Sequence, residues 1–377
     1  MQHYMIPIGT AFLVFPLIAI VFTIPYIIYQ YRKFGSILFS KTAIVYSFIL
    51  YLLVAYFLVI LPLPPIDEVA KLTTPTVQLV PFTFVTDFLE KSGFVWNQIS
   101  TYWTAITSSS FYNVIFNIFL TVPFAIYLRY YFGCSKWKTI FCTFLLSLFF
   151  ELTQLSALYG IYPRPYRLFD VDDLLTNTLG GVVGYFITPL ICFLLPSKNE
   201  IDKKALKKGE KVSYFRRFCA FCFDIVFVLI LAILIPVDTF FIKYVISILC
   251  YFVIMTYLTH GETIGKWIVK IRLVSLEGEK PDIHMLLIRY GLLYLIFIPA
   301  PFYCLYLLSI TGTLDFSSNI TLFFVVIALA ILYAIFCFHT FVTIIEKKNL
   351  LLYEKYSKTK HISTIQLPKK EEKITEE

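Results

Sequence analysis

Apolar residues in this chain neither alternate nor recur at helical spacing. They run on for twenty or so positions at a time, and polar residues are confined to the gaps. Nine runs stand out: Ile6–Gln30, Thr42–Leu61, Phe111–Tyr131, Thr139–Leu158, Leu174–Leu195, Phe218–Val237, Phe240–Leu258, Met285–Ile310 and Thr321–Ile345. About 20 apolar residues in α-helix cross the roughly 30 Å of hydrocarbon in a bilayer. No water is present there to satisfy the backbone, so a segment that closes its own hydrogen bonds is required. The pattern predicts an all-α integral membrane protein of about nine transmembrane helices in two bundles, five and then four.

The gaps divide the chain further. Ser197–Ser213 (SKNEIDKKALKKGEKVS) is Lys-rich and free of aromatics, as linkers are. It separates a membrane domain over 1–196 from a second over 214–362, with a charged tail at 363–377 expected to be disordered. Pro62–Ser110 is the longest gap. Its aromatic middle, with Trp96, Tyr102 and Trp103, predicts a segment resting on the membrane surface and an amphipathic helix near Thr86–Ser100. In His260–His284, the IRLVSLEGEKPDI stretch alternates like a short hairpin turning at Glu277–Gly278, a β-like connector between helices.

Composition agrees: 59% of residues are hydrophobic and 15% charged, against about 45–50% and 25% in soluble domains. The net charge of +8 sits in short loops and no basic patch is interleaved with aromatics, so no nucleic-acid partner is expected. Placing 31–41, 129–138, 197–213, 259–284 and 346–377 on one side collects most Lys and Arg there. By the positive-inside rule that side is cytoplasmic, with the N-terminus outside. The eight cysteines lie mostly in apolar runs, and the CxxC pair Cys219 and Cys222 has no second ligand pair nearby.

Charge inside the apolar runs needs a reason, because a carboxylate at the centre of a membrane helix costs roughly 2.5–3.5 kcal/mol on insertion scales. Glu151 and Gln154 share one face of the fourth run. Asn113 and Asn117 share a face at the start of the third. Asp173 and Asn177 do so on the fifth, where Gly180, Gly181 and Gly184 continue the stripe and provide a GxxxG step for close helix contact. Arg164, Arg167 and Asp170 lie in the loop between the fourth and fifth runs. All converge near the outer surface. Three readings are open: an internal network of ion pairs and hydrogen bonds in which Arg167 neutralises Glu151 or Asp173, an outward-facing polar pocket for a lipid head group or envelope ligand, or a metal site at Asp170, Asp172 and Asp173. DVDD lacks the Gly and distal Glu of a calcium loop, so helix capping by Asp170 or Asp172 is the stronger expectation there, and neither a metal nor a cofactor is called for.

The order ExxQ, then RxFDxxDxxxNxxGxxxG (Glu151, Gln154, Arg167, Phe169, Asp170, Asp173, Asn177, Gly180, Gly184), resembles the VanZ-like family. So do LVPF at Leu79–Phe82 and the helix with Asn113, Asn117 and Pro123; together the likeness spans roughly 40–190. It implies envelope biology, a part in resistance to teicoplanin-type glycopeptides, and cell-wall lipid precursors or the glycopeptide as partners beside membrane lipids. It implies no defined reaction.

The second half opens RRFCAFCFD, with Arg217 and Asp224 two turns apart on one face, and Asp224 is expected to pair with Arg217, Arg289 or a helix end. This RRxxAxxxD opening and Thr263–Pro281 resemble the RDD family, as does Arg289. In the closing LLYEKYSKTKHI, Thr359 matches that family's HDxxxxT, but Tyr353 and Glu354 stand where His and Asp are usual, so carboxylate chemistry survives and the His role does not. The likeness implies a link to transport. A transporter or ion exchanger using Glu151 and Asp224 is therefore the alternative function. HExxH and GxSxG motifs are absent, and the five His lie away from Glu151, so nothing points to an enzyme.

Overall fold

The structure, a computed structural model, describes residues 2–311, 320–346 and 350–365. Among the described residues, nine helices are long and apolar enough to cross a bilayer. Their large side chains face outward to an extent that water would penalise: Leu13 is 75% exposed, Leu190 76% and Ile233 79%. Facing lipid, the same surfaces cost nothing. By contacts the chain forms two compact units, Met1–Ile24 with Leu38–Asp202, and Pro25–Ile37 with Lys203–Glu377.

The first unit takes the N-terminal part of α1 (Gln2–Phe34), then α2 (Phe39–Ile60) and the short α3 (Ile66–Ala70). β1 (Val77–Gln78), α4 (Thr83–Lys91) and α5 (Ser100–Ile106) follow. The expected surface helix at 86–100 is thus two shorter helices, and neither spans the segment around Gly93. Next come α6 (Ser109–Tyr130), α7 (Lys136–Leu155) and the single turn α8 (Ala157–Gly160). Left-handed backbone at Leu158 and Tyr159 stops the fourth run three residues before the pattern suggested. β2 (Phe169–Asp170) pairs in parallel with β1, and α9 (Val171–Cys192) leaves it directly.

Packing within this unit centres on α6, α7 and α9. Gly180 and Gly184 let the α9 backbone approach Ile118 and Val122 of α6, and Gly181 sits against Thr143 of α7. Thr121 Oγ1 donates to Asn177 O at 2.6 Å across the same seam. Small residues at such contacts give the backbone proximity that membrane helices use in place of hydrophobic drive.

The second unit takes the C-terminal part of α1 and resumes within α10 (Lys198–Gly209), so the Lys-rich stretch expected as a linker is largely helical. α11 (Tyr214–Leu234) leads to α12 (Phe240–Ile248), a π-helical turn (Leu249–Met255), α13 (Thr256–Leu258) and α14 (Ile264–Ile268). β3 (Ile271–Ser275) precedes α15 (Ile283–Tyr290), a second π-helical turn (Gly291–Phe297) and α16 (Ala300–Thr311). α17 (Ile320–Ile345), α18 (Leu352–Tyr356) and β4 (Thr359–Ser363) end it. Val228, Ile248, Phe252, Leu273, Leu286 and Tyr290 form its main core.

The expected hairpin is corrected here. The chain does turn after Ser275, with Gly278 in the left-handed region, but β3 pairs antiparallel with β4, Leu273 opposite His361 and Ser275 opposite Thr359. Its partner comes from some 90 residues away because the residues after the turn include Pro281, which has no N–H for a ladder. The loop at 311–320 lies almost wholly outside the described residues, as does the tail from residue 366, while Ser363, counted with the tail expected to be disordered, ends β4.

Candidate functional site

At the end of the first bundle where α2 and α7 finish and α6 and α9 begin lies a cavity of about 700 Å³. Glu151, Gln154, Arg167, Asp170, Asp173, Asn113, Asn117 and Asn177 all line it. The elements explain the convergence. Glu151 lies one turn before the C-terminal end of α7, and Asp173 and Asn177 follow each other by one turn at the start of α9. β2 brings Asp170 to the N-cap of α9, where its Oδ1 accepts from Asp172 N at 2.8 Å. This is the capping expected of the DVDD run.

The hydrogen bonds differ from a self-neutralising network. Glu151 Oε2 accepts from Asp170 N at 3.0 Å, and Asn117 Nδ2 donates to Asp173 Oδ1 at 2.5 Å. Gln154 Nε2 donates to Val59 O at 3.2 Å. Arg167, expected to neutralise Glu151 or Asp173, instead donates from Nη2 to Leu61 O at 3.1 Å, the last carbonyl region of α2. Asn177 Nδ2 donates to Ser147 Oγ at 2.9 Å, while its buried Oδ1 has no partner. Burial raises the Asp170 carboxyl above its usual range, against the Asp172 N–H that lowers it. The cavity wall therefore carries three carboxyl groups and one guanidinium, beside the amides of Asn113, Asn117, Gln154 and Asn177. A smaller cavity of about 250 Å³ shares Asn113, Asn117, Asp170 and Asp173 with it, so the Asn117–Asp173 pair stands between the two.

Arg164 is not in this set. It donates to Leu72 O, and to Thr74 O at 2.5 Å, tying down the loop after α3. Asp172, weighed above only as a cap or metal ligand, has a different task. Its carboxylate accepts from Phe82 N at 2.7 Å, Thr83 Oγ1 at 2.5 Å and Phe84 N at 2.9 Å. It thereby joins the LVPF segment to the start of α9, which spacing alone did not reveal. Asp172→Ala is expected to weaken this attachment by about 1.5–3 kcal/mol, the range for bonds to a charged acceptor. Hydrogen exchange over 82–91 should speed up while exchange in α6 stays put; unchanged protection at 82–84 would refute the role. Among the described residues, no group of three or more His, Cys, Asp or Glu is placed to hold a metal.

Of the partners expected for Asp224, the second bundle brings it a helix end, the start of α14, and neither Arg217 nor Arg289. Asp224 Oδ1 accepts from Tyr251 OH and Gly265 N, and its Oδ2 from Thr263 Oγ1, all at 2.7 Å. Arg217 Nη1 binds Glu354 Oε2 at 3.0 Å and Arg289 Nη2 binds Glu354 Oε1 at 2.9 Å. Arg289 Nη1 also donates to Thr359 Oγ1 at 2.8 Å. The histidine thought missing is supplied from β4: His361 Nδ1 lies 3.1 Å from Glu354 Oε1. A carboxylate only accepts, so Nδ1 carries the proton and the neutral ring is a donor. Arg216, not singled out beside Arg217, is fully buried and donates to three carbonyls: Nε to Val269 O at 2.7 Å, Nη1 to Gly209 O at 2.8 Å and Nη2 to Lys270 O at 2.6 Å. Adjacent arginines on a helix point in different directions, and only the fold tells which meets the carboxylate.

The VanZ/LLP1 family model matches residues 48–193, and the RDD family model matches residues 211–349, ending before Glu354. No curated protein and no solved structure matches the chain. The first match holds every residue around the larger cavity except Pro7 of α1, and the second holds Arg217, Asp224 and Arg289. The chain is a multi-pass membrane protein that joins a VanZ-like domain to an RDD-family domain.

Proposed function

We propose that the VanZ-like half binds the polar head of a cell-envelope ligand, a lipid head group, cell-wall lipid precursor or glycopeptide, in the 700 Å³ cavity around Glu151. The chain would then serve an accessory or resistance role towards teicoplanin-type antibiotics in the bacterial cell membrane. The observation that carries this is the excess of acid in the wall: Glu151, Asp170 and Asp173 against the one guanidinium of Arg167. Such a wall prefers a head with an ammonium or hydroxyl donors, since buried acceptors left unpaired cost about 1–3 kcal/mol each. The distribution of Lys and Arg turns this cavity outward, with the N-terminus outside and the C-terminus in the cytoplasm. The second reading, an ion exchanger using Glu151 and Asp224, gains no support from Asp224, whose two oxygens already accept three hydrogen bonds.

The test is teicoplanin tolerance in cells expressing the full chain, with membrane levels measured in parallel. Glu151→Gln and Arg167→Ala are expected to abolish tolerance at unchanged protein level. Loss of the protein itself would assign the cluster to structure, and unchanged tolerance at full level would reject the site.

A further inference from the structure

The second bundle contains its own cavity of about 490 Å³, within the roughly 300–1,000 Å³ range of small-molecule sites. Much of its wall is aromatic or aliphatic, with Phe221, Phe252, Leu293 and Tyr294 among the lining residues. Charged groups also line it, and their charges do not balance. Arg217, Arg289 and Lys266 contribute three cations. Two carboxylates answer them: Asp224 in the wall and Glu354 gripped between the arginines. His361 adds no charge, because burial and the Arg289 guanidinium push its pKa down to about 3. Lys266 Nζ donates to the Tyr290 hydroxyl at 2.7 Å and is attracted by the Asp224 carboxylate without bonding to it. The Nε–H groups of Arg217 and Arg289 are buried without partners. Three cations against two carboxylates leave one positive charge in excess, which is costly in an apolar interior, so the site is one anion short.

The backbone marks the same place. Both π-helical turns contribute to the wall, and Phe252 of the first stacks on Tyr294 of the second at 4.3 Å between ring centroids. A π-turn gives up regular helical hydrogen bonding and is found mostly where function demands it. Two in one wall, beside an unbalanced charge, point to a built site.

We propose that this cavity binds a single-chain amphipathic anion, an acyl carboxylate of the fatty-acid class. Its head would offset the excess positive charge of Arg217, Arg289 and Lys266, and its chain would lie against Phe221, Phe252 and Tyr294. An anionic head on an acyl chain is also carried by diacyl lipids, but the volume accommodates one chain and not two.

Binding of radiolabelled oleate to the purified full-length protein in neutral detergent tests this. One oleate per chain should bind, displaced by unlabelled oleate and not by oleyl alcohol at tenfold excess. Lys266→Met should weaken binding at least tenfold, and Leu293→Trp, which fills the cavity, should abolish it. Equal competition by the alcohol, or normal binding in both variants, would overturn the proposal. Displacement by phosphatidylglycerol at equal concentration would overturn the single-chain assignment. The comparison of oleate with its alcohol uses the unaltered chain, so it decides even where a variant fails to fold.

Discussion

Glu354→Ala should cost the second bundle about 3–5 kcal/mol, the loss expected when one partner of a buried ion cluster is removed. The carboxylate is fully buried and holds Arg217, Arg289 and His361 at 2.9–3.1 Å, and it also accepts from Leu351 N at 3.0 Å, which starts α18. Alanine leaves the buried Arg289 and the partly buried Arg217 guanidinium groups without a counter-charge. Glu354→Gln keeps the shape and one acceptor, so its loss should be smaller. Thermal unfolding of the purified protein in detergent reads both variants, and a melting temperature unchanged in Glu354→Ala would sink the account.

The same cluster sets an acid dependence. Burial alone would raise the Glu354 carboxyl, but the Arg289 guanidinium, the His361 ring and Arg217 outweigh it and hold it below the usual carboxylate range. Its contribution is complete above its ordinary value of 4.5 and is lost as pH falls below that. His361 acts in the same direction from higher pH. The unfolded chain takes up a proton as pH falls through 6.5, while the folded ring stays neutral down to about 3. The contribution of this cluster to stability should be level above pH 7 and fall from about 6.5 downward, by up to about 1.4 kcal/mol per unit for each proton. His361→Gln should flatten the upper part of that slope.

Gly180→Leu should disrupt the first bundle more than any change on its lipid-facing surface. Even the Cβ alone would stand 2.2 Å from Ile118 O and 2.3 Å from Thr121 Oγ1. The obstacle is backbone, so the helices must part instead of a side chain moving. Parting α6 from α9 would break Thr121–Asn177 and Asn117–Asp173 together. Overpacking costs typically about 1–3 kcal/mol, and the lost bonds add to it. Gly180→Ala should show the first part of the loss. Gly9→Ala, with nothing within 4 Å of its Cβ, should be neutral. Melting temperature and the yield of monodisperse protein measure the series; a Gly180→Leu protein as stable as the parent would show that the seam is looser than drawn.

The sequence by itself determined what depends on length and local chemistry. Uninterrupted apolar runs must become helices in a bilayer, so the nine spans were legible within a few residues. The rarity of charge in such runs singled out Glu151, Asp173 and Asn177, and the glycine step on the fifth run foretold a close helix contact. Capping of α9 by Asp170 followed from the same local rules. Which polar groups meet was decided only by the tertiary structure. Helical spacing placed Arg217 and Asp224 on one face, yet neighbouring elements supply better partners: Glu354 from α18 for the one, and Tyr251, Thr263 and Gly265 for the other. Likewise β3 found its ladder in β4 and not in the adjacent residues, and Arg167 turned to a carbonyl of α2 and not to a carboxylate. A face restricts the directions a side chain can take. The partner is set by which distant backbone or carboxylate the packing brings within about 3 Å, and that distance is not written in the spacing of any one segment.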